Sequence, residues 1–160
     1  MNNIKSFIIL LLAGFITVSI VSCDQNRVYD KFKDIKGGIW NKSEIMKFEV
    51  QIDDTVSYHN FFINVRNSGN YKYCNLYIFL NTIRPDRKVS RDTIDCLLAN
   101  DMGKWLGKGL GDRKDCRFLL KRGLRFHQKG IYSFELEQAM RVDNLEGIES
   151  VGVRIEKIIK

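Results

Sequence analysis

Proline occurs once in this chain, at Pro85, and histidine twice, at His59 and His127. With so few histidines and no cysteine pair at zinc-ligand spacing, a Cys/His metal centre is not expected. No cofactor is expected either. There is no Ser/Gly-rich linker, no internal repeat and no low-complexity segment, so nothing divides the chain into several domains. Beyond residue 22 no apolar run is long enough to cross a bilayer. No long stretch of 3.6-residue periodicity occurs there either, which argues against a helical fold. Catalytic signatures are also missing. The order G-x-x-x-x-G-K-[ST] of a phosphate loop is absent, and no nucleophile elbow frames a serine. No catalytic residue is assigned, and the chain is not expected to be an enzyme.

What is present begins at the N-terminus. Met1–Lys5 carries one positive charge, and an apolar run from Phe7 to Val21 follows. That run ends in Ile20-Val21-Ser22-Cys23, and polar Asp24-Gln25-Asn26-Arg27 comes next. A small residue before a cysteine suits a lipoprotein signal peptidase, and the thiol is the acceptor for diacylglycerol. Residues 1–22 are therefore expected to be removed and Cys23 to carry the lipid. Residues 23–39 are expected to form the lipidated N-terminus and tether, and 40–160 the folded domain. The competing readings are an ordinary signal peptide and an uncleaved transmembrane anchor, the latter permitted by the length of the apolar run.

The chain has 26 Lys and Arg against 19 Asp and Glu, a formal net charge of +7. The basic residues are interleaved with acids, so a solvated surface is expected rather than a nucleic-acid interface. Cys74, Cys96 and Cys116 remain besides Cys23. At most one internal disulfide can form among three. The expected pair is Cys96–Cys116 with Cys74 free, against an alternative of three buried thiols.

From Trp40 onward, alternation with period 2 dominates. Met46, Phe48, Val50 and Ile52 alternate with polar residues, as do Phe61, Ile63 and Val65. Leu76–Leu80, Thr93–Leu98, Tyr132–Leu136 and Val151–Ile155 read as further strands, with turns at 67–70 and 84–87. Glu137 to Leu145 is the one place where a helical turn or two is expected, with Met140 inward. The fold class is all-β: a single antiparallel β-sandwich, jelly-roll or immunoglobulin-like, with a closed barrel as alternative.

The segment from Asp101 to Gly111 has four glycines, at 103, 107, 109 and 111, around Trp105. Such a stretch is neither helix nor strand interior. Lys104, Trp105 and Lys108 are the candidate partner or ligand surface. Trp105 is expected to be buried and to pin the loop, with the lysines making surface contacts. Asp92 and Asp95, at i and i+3 on a strand, point to opposite faces and make a poor shared acid site.

The chain resembles the GldH gliding-motility lipoprotein family of Bacteroidetes. The resemblance rests on Trp40 through Asp53-Asp54-Thr55, Tyr58 to Asn67, Tyr71–Leu76, and Asp92–Asp95 leading into Gly103–Gly109. Its most specific stretches are Gly130–Phe134 with Gln138–Arg141, and Leu145-Glu146-Gly147-Ile148 to Gly152. The resemblance implies a non-enzymatic envelope lipoprotein supporting gliding and the linked type IX secretion machinery through protein contacts. The implied location is the cell envelope, lipid-anchored at the outer membrane on its periplasmic face. The alternative is a glycan- or lipid-binding β-sandwich.

Overall fold

Strict alternation makes Met46–Ile52 a strand with one buried face. Met46, Phe48, Val50 and Ile52 are buried, and Lys47, Glu49 and Gln51 are exposed. The same physics recurs along a computed structural model that describes residues 24, 26–109 and 111–159. The expected signal, residues 1–22, and the expected lipidation position, Cys23, lie outside the described residues. Ten strands are present among the described residues: β1 (Arg27–Asp34), β2 (Ile39–Asn41), β3 (Met46–Ile52), β4 (His59–Asn67), β5 (Asn75–Ile83), β6 (Val89–Leu97), β7 (Lys114–Leu124), β8 (Gly130–Gln138), β9 (Asn144–Glu146) and β10 (Ile148–Lys157).

They form two four-stranded antiparallel sheets, ordered β1-β10-β4-β7 and β3-β8-β5-β6, plus the short pair β2-β9. Side chains from both sheets meet in one core. The rings of Phe61 on β4 and Phe134 on β8 lie 4.8 Å apart. Of the architectures expected, the two sheet orders are those of a jelly roll, eight strands wound as two Greek keys. β6 and β7 are edge strands of opposite sheets, and both are largely exposed.

Two expectations are corrected. Residues 27–39, assigned to the tether, instead contribute β1, a 3-10 turn at Lys36–Gly38 and the start of β2. β1 pairs along its length with β10, from Arg27 against Glu156 to Asp34 against Ser150. Its pattern had concealed it, because an edge strand needs little apolar surface. Second, 137–145 contains no helical turn. Gln138 closes the bend instead: its Nε2 donates to the Val142 carbonyl at 2.7 Å, and its Oε1 accepts from the Met140 amide at 2.9 Å. Met140 packs against the core, and its sulfur accepts from the Tyr77 amide.

The stretch Leu145–Ile148 has a mechanical explanation. Gly147 has φ +90°, and a Cβ there would lie 2.7 Å from the Tyr71 Cα. Only glycine tolerates both the conformation and the approach. Leu145 is buried and pairs with Trp40, the fully buried tryptophan of the fold.

Candidate functional site

The pairings define the two ends of the sandwich. Successive pairings trace the first: Arg27 opposes Glu156, Lys157 opposes His59, and His59 opposes Leu124. At the other end Asp34 opposes Ser150, Ser150 opposes Arg66, and Arg66 opposes Asp115. The ten residues of β10 set the two ends roughly 30 Å apart.

The glycine-rich loop lies at the second end, between β6 and β7. Hydrogen bonds hold it. The amides of Leu98 and Ala99 donate to the Cys74 carbonyl, at 2.8 and 2.9 Å. Asn100 Oδ1 accepts from the amides of Met102 and Lys104, at 3.1 and 2.8 Å. Lys108 and Asp115 exchange two backbone bonds. Glycine is needed where the loop approaches β7: a Cβ on Gly107 would lie 2.7 Å from Cys116 Sγ. Lys104 and Lys108 are exposed. Trp105 is half-buried and packs on the core from outside, with its backbone bridged to Ala99. The expectation of a buried Trp105 is corrected accordingly: the indole lies at the edge of the core, in a loop outside both sheets. The unforeseen feature is apolar: Met102 is 87% exposed and Leu106 52%. A pattern read for strands gave no signal for them.

The first end holds a cleft of about 570 Å³ between the two sheets. Its floor is aromatic and aliphatic: Phe61, Leu80, Phe126, Tyr132 and Phe134. The ring of Phe126 meets Tyr132 at 5.0 Å and His59 at 5.3 Å. Its margin is polar, with Arg84, Asp92, Lys121, Arg125, His127 and Gln128. Gln128 Nε2 donates to Asp86 at 3.3 Å, but its Oε1 is buried without a hydrogen-bond partner. Asp92 stands at this margin, whereas Asp95 accepts from Asn75 elsewhere on the ladder, so the two acids do not converge. The cleft was not legible in the sequence, because its walls come from five separate segments of the chain.

The segment just before β1 is tied to the same end. Asp24 ion-pairs with Arg154 of β10, which also takes Asp30 and Glu156. That hydrogen bond holds the Asp24 carboxyl below the usual carboxylate range. Cys74 is exposed while Cys96 and Cys116 are buried, and all three are free thiols, so the expected Cys96–Cys116 bridge is not formed. Burial pushes Cys96 up to about 12.

A family profile described as GldH lipoprotein matches residues 27–155. The chain belongs to the GldH lipoprotein family. Two relatives agree. A gliding motility lipoprotein GldH homolog of Christiangramia forsetii is 36% identical over 150 residues, 89% of this chain and 91% of that protein. The gliding motility lipoprotein GldH of Flavobacterium johnsoniae is 34% identical over 162 residues, 97% of this chain and 98% of that protein. The GldH match begins at the first residue of β1 and ends within β10. It therefore takes in all of the jelly roll but the last two residues of β10, including the loop and the lining of the cleft.

Proposed function

We propose that the chain is a non-enzymatic, lipid-anchored envelope protein that serves gliding motility and the linked type IX secretion machinery through protein contacts. The contact surface is the loop 100–109. One observation carries this reading: a hydrogen-bonded loop presents two exposed apolar side chains, Met102 and Leu106, beside Lys104 and Lys108. Apolar side chains on a pinned backbone, with a charged rim, suit a protein partner, because the loop itself loses little ordering entropy on docking. The loop also lies at the end opposite Asp24, the residue after the lipidation cysteine. An anchored domain thus holds the loop away from the bilayer at high effective concentration for neighbouring membrane proteins. The glycan alternative needed an exposed indole plate, and Trp105 is instead half-buried against the core.

The test is crosslinking in native envelopes, followed by mass spectrometry, with wild type and Met102→Asp/Leu106→Asp. The double variant should remain lipidated and folded and lose its crosslinks to gliding and secretion proteins. Crosslinks retained at wild-type level would refute the loop as the contact surface.

A further inference from the structure

We infer that the cleft between the sheets binds an acyl chain of an anionic membrane lipid, with the headgroup held at the basic margin. Three observations converge. The floor of Phe61, Leu80, Phe126 and Phe134 is apolar, and the volume of about 570 Å³ lies within the range of small-ligand sites. Arg84, Lys121 and Arg125 stand at the mouth against Asp92 and against Asp86, which Gln128 contacts, so the margin favours an anion. The buried Gln128 Oε1 lacks a donor, and a headgroup hydroxyl would supply one.

Position decides between a lipid and other amphiphiles. The cleft is lined by the end of β7, level with Arg27 through the pairings of His59 with Lys157 and Leu124. The Lys157 amide also donates to the Asn26 carbonyl at 2.7 Å. Cys23 directly precedes Asp24 in sequence. A lipid on Cys23 therefore brings the mouth of the cleft to the bilayer surface, where lipid is the most concentrated ligand of this chemistry. Exposed Val56 and Tyr58, at 74% and 49%, lie at the same end and suit the interface. The inference rests on lipid anchoring at Cys23. It does not rest on the loop at the far end.

The experiment uses the lipidated mature protein in phosphatidylcholine vesicles doped with a photoactivatable phosphatidylglycerol or, separately, a photoactivatable phosphatidylcholine. Peptide mapping should place the anionic probe on residues 80–93 and 120–134. Lys121→Gln/Arg125→Gln should cut labelling by the anionic probe at least tenfold, at about fivefold per charge lost, and leave the zwitterionic probe little changed. Thr82→Trp, which fills the cleft from β5 without altering charge, should abolish labelling of those peptides by either probe. Labelling spread evenly over the surface, or unaffected by both variants, would overturn the inference. So would crosslinks from the cleft to a partner protein instead of lipid. Loss of crosslinks from the loop variant leaves this outcome untouched, so the two readings fail separately.

Discussion

Phe32 of β1 covers Gly152 of β10. The two are direct cross-strand partners, and a Cβ on Gly152 would lie 3.0 Å from the Phe32 ring and 2.7 Å from the Lys31 carbonyl. The Arg66 guanidinium stacks on the same ring, 3.8 Å from its centroid. The ring fills the space that glycine leaves and shields the ladder beneath it. Arg66 in turn pairs with Asp115 of β7, so one aromatic ring links the edge strand to the far side of the sheet.

Gly152→Ala should therefore destabilise the domain by about 1–3 kcal/mol, the range for overpacking a filled site. The damage should start at β1, because both colliding groups belong to it. Hydrogen exchange is the measurement. Amides of β1 should lose protection first, and full protection there would contradict this account of the contact.

The two tryptophans should separate in unfolding experiments. Trp40 is fully buried, and its indole Nε1 donates to the Glu44 carbonyl at 2.9 Å. Trp40→Ala should cost about 3–5 kcal/mol. Trp105 is half-buried, so Trp105→Ala should cost about half as much. Equal midpoints for the two variants in denaturant would overturn the distinction.

The core strands were legible because one face is wet and the other dry. Met46–Ile52 shows this without exception, and its bounds matched the alternation. β7 hid its inward Cys116, Phe118 and Leu120 among arginines and lysines, since an edge strand facing an open cleft leaves even inward positions half-exposed. β1 hid for the same reason. The glycine-rich loop was legible as a loop, yet its anchoring by Asn100 and Cys74 depends on backbone partners no pattern records. The cleft arises only when β4, β5 and β8 are brought opposite β7.

Thiol chemistry should follow burial. In the native, unreduced protein an alkylating reagent at mildly alkaline pH should label Cys74 and spare Cys96 and Cys116. Burial disfavours both thiolates, most strongly at Cys96. After denaturation without reductant all three should react. Fewer than three would mean a disulfide.

His59 should make stability depend on pH. It is buried against Phe126, and burial holds its pKa below the ordinary 6.5. Unfolded chain then binds a proton that native protein does not, so the stabilisation is complete above the unfolded value. It declines as pH falls from about 6.5 towards the lower native value. Denaturant melts across that window should show the decline in wild type and a flatter profile in His59→Phe. Identical profiles would refute the assignment.

The antiparallel seam between β1 and β10 also sets how the protein bears load. On the function proposed above, an anchor on Cys23 would join the chain at one end of the sandwich, and the loop 100–109 lies at the other. A pull between membrane and partner thus runs along the strands. Force applied that way loads the hydrogen bonds from Arg27–Glu156 to Asp34–Ser150 in shear, all together, rather than peeling them one by one. Pulling across the sheet would unzip β1 from its edge. The β1–β10 seam is thus set to resist a pull along the strands better than one across the sheet, and the proposed anchoring would load it in the first direction.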